Sequence, residues 1–373
     1  MRVLILADTL FASRERSLLA RLEVGLADEG VRVLQAVPRQ VVLRSPPGVV
    51  ARTIAYTPRA FVLTRGLAVR RIARDVERAL QDGSGGGGGD VGGDGIDLIH
   101  VFGGSAWRLG RDLASELGCP LAVEVWRYGL CARAAEWGGK PRNAPTLLAP
   151  DGTIERHLRK LAPRARVFAA PWGVLPADAR DILRDGRSPS MMMVGTGRDA
   201  GAFCAALRGA APVLREHPDA IVFCDAQAAR KADLWSEARR LGVLDRLSLI
   251  EDLEGRRDLL LQGDILVVPE AHGEQRSIVL EAMAHGVVVA AARDPQVSML
   301  VEGRSARLVD GPVAQQWSAV LGDLLADRQR TRLLAQGAQQ FVRHHRRASD
   351  HVRAVMAAYT PTLAQPARQT GNV

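Results

Sequence analysis

Three lysines, Lys140, Lys160 and Lys231, are all that this 373-residue chain contains. Arginine therefore carries nearly all of its positive charge, and the formal net charge is +9. Two readings of that excess stand. One is a GC-rich coding bias; the other is attraction to nucleic acid, acidic lipid headgroups or a phosphorylated ligand. Aromatic residues are scarce at 4%, so Leu, Val, Ile and Ala must fill the core. No aromatic–basic platform and no nucleic-acid reader motif stands out, which argues against nucleic acid as the partner. The four cysteines (Cys119, Cys131, Cys204, Cys224) form no CxxC pair. They fit reduced, mostly buried thiols in a cytoplasmic protein. No apolar run approaches the roughly 20 residues that span a bilayer. The opening "MRVLILADTLFASRER" is too short in apolar residues for a signal peptide. No His, Cys or carboxylate spacing makes a metal site, and no DxD-type pair lies in a suitable loop.

What the chain does have is a repeating β-α pattern. Its length points to two domains, and a hydrophobic fraction of 47% is enough to build both. "MRVLILAD" reads as a buried strand, "RERSLLARLEVGLADEG" as a helix stopped by Gly30, and "VRVLQAV" as the next strand. Such an opening predicts a parallel sheet. "GLAVRRIARDVERAL" reads as an amphipathic helix. The stretch "QDGSGGGGGDVGGDG" carries too much glycine to pack and reads as a disordered surface insertion over residues 82–95. The alternation then resumes with "IDLIHVFGG", "AWRLGRDLASELG" and "PLAVEVW". "LPADARDILRDGRSPS" is polar, marked by proline and glycine, and reads as a linker. A second α/β set begins at "SMMMVGTG" and ends in three helices, the last being "ASDHVRAVMAAYTPTL".

Laid out in this order, the chain resembles a GT-B glycosyltransferase of the retaining family 4 type. The likeness rests on seven short elements in sequence. The family's opening strand and helix ending in "GxxV" match "RVLILAD" through "GVRV". Its "pDvvH" matches "IDLIHV", its "pnGvd" matches "APWGV", and its "vGr" matches "VGTGR". "LGVLDRLSLIED", "GDILVVPE" and "EAMAHGVVVAA" match the elements that follow. The resemblance implies an α/β fold of GT-B type, two Rossmann-like domains facing each other across a cleft. The expected division is residues 1–175, residues 176–340, and a final segment 341–373 whose helix crosses back to the first domain. The implied activity is transfer of a sugar from a nucleotide-diphosphate donor, with retained configuration, to an unidentified glycan or lipid-linked acceptor. Such enzymes need no metal, because a helix end and cations neutralise the diphosphate. The excess of arginine then fits peripheral contact with an anionic membrane at its cytoplasmic face.

The resemblance also assigns residues. Gly273, Arg276 and Ser277 would meet the diphosphate at the start of a helix, and Gly195 would lie in the facing loop. Glu281 would hold the ribose hydroxyls. Arg198 would face the departing diphosphate, where a cation offsets developing charge. His100, at the end of its strand, would reach the donor sugar. The family's first motif glutamate falls at Gly273, so its role passes to Glu274, one residue later. No lysine follows Arg198, and the usual Gly-Gly loop after the first strand is replaced by the bulky "TLFASRERS". These departures keep a second reading open: a catalytically degenerate GT-B-like protein that binds nucleotide or partners without transfer. The Gly-x-Gly of "VGTGRDAG" lacks the GxGxxG spacing of a nicotinamide site.

Overall fold

The structure, a computed structural model, describes all residues except 43–49, 59–64, 83–94, 139–143, 179 and 365–373. The glycine-rich insertion thus lies almost wholly outside the described residues. The chain divides into two compact units: residues 1–172 together with 348–373, and residues 173–347.

The first unit is built on seven strands: β1 (Arg2–Ala7), β2 (Arg32–Pro38), β3 (Arg52–Tyr56), β4 (Leu98–Phe102), β5 (Leu121–Glu124), β6 (Thr146–Ala149) and β7 (Val167–Ala169). They form one parallel sheet in the order β3-β2-β1-β4-β5-β6-β7. Val3 to Ala7 are all solvent-inaccessible. Helices cover both faces of such a sheet, so its central strands are apolar on both sides rather than alternating. Helix Arg16–Asp28 lies against the last helix, Ala348–Leu363, so tightly that a Cβ on Gly25 would collide with Val352. The segment read as a charged loop, "TLFASRERS", is instead mostly helical. Asp8 caps helix Thr9–Arg14 by accepting from the Phe11 amide at 2.8 Å, and Phe11 is fully buried. A capped turn with a buried aromatic anchor orders residues whose charges alone suggest a loop.

The second unit carries β8 (Ser190–Met193), β9 (Ile221–Asp225), β10 (Leu247–Ile250), β11 (Ile265–Val268), β12 (Val288–Ala292) and β13 (Arg307–Val309). The order is β10-β9-β8-β11-β12-β13, again all parallel. The segment read as a linker is packed into this unit. Ile182 and Leu183 are 1% exposed and belong to its apolar core. Their anchor is Asp264, itself buried, which accepts from the Leu183 amide at 3.0 Å and from the Ser190 amide and hydroxyl at 2.9 Å each. The stretch "EGRRDLLLQG" holds a short helix, Arg257–Leu260. His351 is buried at 2% exposure, whereas His344 and His345 are exposed.

Candidate active site

In an open parallel sheet, ligands bind beyond the carboxyl ends of the strands, where the strand order reverses. In the second unit that point lies between β8 and β11. The two loops that leave these strands carry most of the residues singled out by sequence.

The loop after β8 runs Val194–Asp199 and turns on two glycines. Gly195 has φ +154°, and a Cβ there would lie 2.7 Å from a Glu270 carboxylate oxygen. Gly197 has φ +68°, and a Cβ would lie 2.6 Å from the Ala228 carbonyl oxygen. Only glycine fits at both positions. Asp199 ends the loop and caps helix Ala200–Glu216 through the Ala202 amide, at 2.9 Å. The loop after β11 reaches across to it. Glu270 accepts from the Thr196 amide at 2.5 Å, the Thr196 hydroxyl at 2.8 Å and the Asp199 amide at 3.0 Å. Burial alone would raise this carboxyl. The Asp199 and Thr196 amides, the Thr196 hydroxyl and nearby His272 outweigh it and hold Glu270 below the usual range. Lys231, exposed, donates to the Thr196 carbonyl at 3.2 Å.

Fixing the loop in this way places Arg198. Its guanidinium lies 3.8 Å from the carboxylate of Glu274, which is 6% exposed at the side chain. The structure therefore brings together two residues that the resemblance assigned to catalysis. Gly273, with φ +63°, makes the turn between Glu270 and Glu274. Its amide, expected to await a phosphate, donates to Asp294 at 2.6 Å.

Helix Ser277–Ala284 follows, and every one of its eight residues is buried. Its amino end is not bare. Ser277 is wholly inaccessible, and Arg276 is 6% exposed and forms an ion pair with buried Glu254. Glu281 is also buried. Arg257 meets it at 3.0 Å and extends to the Ser277 hydroxyl at 3.4 Å. The segment that carries Glu254 and Arg257 is pinned by Asp225, which accepts from the Leu253 amide at 3.1 Å as well as from Gln227 and Ala228. Burial raises the Asp225 carboxyl, and Glu254 adds to the shift, against those three hydrogen bonds. Arg257 and Arg276 are thus each held by a buried glutamate, and Arg198 approaches a third more loosely.

His100 is not part of this constellation. It sits in the middle of β4 in the first unit, with no exposed surface. Its Nδ1 is 2.8 Å from the Tyr359 hydroxyl, its Nε2 is 3.4 Å from Glu124, and its ring lies tilted at 38° to Phe102 with the centroids 4.1 Å apart. Burial lowers its pKa to about 3. The sequence placed it at a strand tip; the extra strand length beyond it, Val101 and Phe102, puts it inside. Sequence reading missed Glu254, Arg257 and Asp294. For the first two the available signal was the density of charge in "EDLEGRRD", immediately after β10 on the same sheet edge. Among the described residues no group of His, Cys, Asp or Glu is placed to hold a metal ion. None of the described helices is long and apolar enough to cross a membrane.

With this geometry in hand, known proteins give a consistent comparison. The chain superposes on HepE of Anabaena in complex with UDP and glucose with a TM-score of 0.72, covering 96% of this chain and 99% of that one at 13% identity. Sucrose-phosphate synthase of Thermosynechococcus elongatus gives 0.71, covering 98% and 100% at 14% identity. The fold is therefore GT-B, the architecture of glycosyltransferases. In sequence, the chain is 35% identical over 188 residues to the D-inositol 3-phosphate glycosyltransferase of Thermobispora bispora, a match that covers 46% of this chain and 40% of that protein. The chain thus spans less than half the length of the curated relatives it matches. No family model matches it. The resemblance read from the motifs stands: this is a divergent chain of GT-B type whose relatives bear glycosyltransferase names.

Proposed function

We propose that the protein transfers a sugar from a nucleotide-diphosphate donor to a glycan or lipid-linked acceptor with retention of configuration, and that it does so without a metal. The observation that carries this reading is the meeting of Arg198 and Glu274 at the strand-order reversal of the second sheet. The diphosphate would lie by Arg198, Arg276, Gly195 and the Gly273–Ser277 segment, and Glu281 would take the ribose. Glu274 would meet the donor sugar. Arg198 would stabilise charge on the leaving diphosphate, the step at which preorganised cations contribute most. Solved complexes of HepE contain UDP, UDP-glucose, or UDP with glucose, which supports a donor of this class. Incubation with UDP-, GDP- and ADP-sugars, with release of the nucleoside diphosphate as readout, tests the reading. At least one donor should turn over, and Glu274→Gln should slow it at least tenfold. Equal rates in the two proteins would remove Glu274 from the mechanism.

One observation favours the degenerate alternative. The Gly273 amide is consumed by Asp294, and no carboxylate stands at the place of the family's first glutamate. Tight binding of a nucleoside diphosphate with no turnover of any donor is the result that reading predicts. For the acceptor, a membrane-borne lipid is supported by helix Arg65–Gln81, whose exposed side carries Arg70, Arg71, Arg74 and Arg78. Vesicles with acidic lipid should sediment the protein at low salt and release it at high salt. Failure to bind at low salt would exclude that surface.

A further inference from the structure

Two buried arginines flank the amino end of helix Ser277–Ala284. Arg276 is its N-cap residue, and Arg257 reaches the hydroxyl of Ser277, its first helical residue. That end of a helix carries a partial positive charge and favours anions over cations. Each arginine stays there because a buried carboxylate holds it: Glu254 for Arg276 and Glu281 for Arg257. Buried pairs of this kind add little stability of their own relative to apolar packing. They do keep two cations desolvated, one of them, Arg257, within reach of the Ser277 hydroxyl. Gln275, 2% exposed and in the same loop, has a side-chain amide nitrogen with no hydrogen-bond partner among the described residues. A diphosphate in this place would satisfy the helix end and both guanidinium groups together, which none of the carboxylates does alone.

We propose that Arg257 is a further phosphate-binding residue of the donor site, held on Glu281 until a diphosphate draws it away. This rests on the donor reading above. It also accounts for the missing lysine after Arg198, because the second cation comes from the start of helix Arg257–Leu260, which follows β10, instead. Glu281 then has two successive partners, Arg257 in the free protein and the ribose in the complex.

The two roles of Glu281 separate when the probe has no ribose. Titration calorimetry on the full chain with inorganic pyrophosphate, and in parallel with UDP, GDP and ADP, gives the test. Arg257→Met should weaken pyrophosphate and the preferred nucleoside diphosphate by about tenfold or more, the loss expected for a charge-assisted contact. Glu281→Gln should strengthen pyrophosphate several-fold, since Arg257 is released, while the nucleoside diphosphate gains less or loses affinity. The double variant Arg257→Met/Glu281→Gln leaves no buried charge uncompensated, and it should bind pyrophosphate as weakly as Arg257→Met. If the wild-type chain binds a nucleoside diphosphate and Arg257→Met leaves that affinity and the pyrophosphate affinity unchanged, Arg257 has no such role and the donor reading survives. If Glu281→Gln leaves pyrophosphate binding unchanged, the holding step is wrong. If the wild-type chain binds none of the four probes, both the inference and the donor reading fall.

Discussion

Arg198→Ala is expected to lower kcat for sugar transfer by about 100- to 1000-fold, the range seen when one preorganised charge-stabilising group is removed. KM for the donor should rise less, because the guanidinium acts most strongly as charge builds on the departing diphosphate. Loss of fold is not expected to explain the defect. The Arg198 side chain is 48% exposed, and its approach to Glu274 is long, at 3.8 Å. Pairs of that geometry contribute little stability. A thermal melt of the variant should match the wild type to within a few degrees. Arg198→Lys keeps the charge but not the planar fork, so partial recovery of kcat is expected. Unchanged turnover in Arg198→Ala would mean that the loop after β8 serves the fold and not the reaction.

The second large effect lies in the first unit and concerns stability. Glu124→Gln is expected to remove a loss of stability that the wild type suffers as pH rises from about 6.5 towards 8. Glu124 is fully buried; it accepts from the Trp172 indole at 2.7 Å and lies 3.4 Å from His100. Burial raises its pKa from 4.5 to about 8, against the Trp172 hydrogen bond, which lowers it. A carboxyl raised in the folded state gives stability that is fully present below pH 4.5 and is lost as pH climbs through about 8. The whole effect is on the order of 3–5 kcal/mol. His100 works in the opposite direction. Its lowered pKa gives stability that is full above pH 6.5 and is lost as pH falls towards about 3. The two slopes cancel between about pH 4.5 and 6.5, so the wild type should be most stable there. Glutamine keeps an oxygen for Trp172 and offers an N–H towards His100, so the variant should lose the alkaline fall and show a rise up to about pH 6.5, where the His100 slope is no longer cancelled. Urea unfolding between pH 5 and 8.5 measures this. An alkaline fall of the same size in Glu124→Gln would assign it to another group.

The strands that form the two sheets were legible because both faces of a parallel sheet are covered. Runs such as "VLILA" and "ILVV" stay apolar throughout, and helices with Leu18, Leu22 and Leu26 on one side lie between them. β3, with the sequence RTIAY, escaped notice because it is an edge strand of mixed polarity, which gives a weak periodic signal. Helix Thr9–Arg14 was hidden for another reason. Its stability comes from one cap and one buried ring, Asp8 and Phe11, rather than from a repeating pattern. The "linker" looked polar because its two anchoring residues, Ile182 and Leu183, are a small part of a charged stretch.

The site was legible where function follows from position after a strand. Arg198 and Glu274 lie 76 residues apart in sequence (274 − 198), yet each leaves a strand next to the switch point, so the topology brings them together. The ion pairs around them were not legible. Arg257 meets Glu281, and Arg276 meets Glu254, across segments whose sequences carry no pairing code. A lone strand histidine gave no sign of depth either. His100 is enclosed by Tyr359, which arrives from a helix 259 residues later in the chain.

The central claim is that the second unit's sheet edge binds the diphosphate of a nucleotide sugar. Thermal unfolding with a panel of UDP-, GDP-, ADP- and CMP-sugars at graded concentrations tests it most directly. Ligand at about 100 times its Kd adds about 2.7 kcal/mol, enough to raise the midpoint by several degrees. The account predicts such a rise for at least one member of the panel, growing with concentration and diminished in Arg198→Ala. A panel that leaves the midpoint unmoved up to millimolar concentration, or a rise of equal size in wild type and Arg198→Ala, would contradict it.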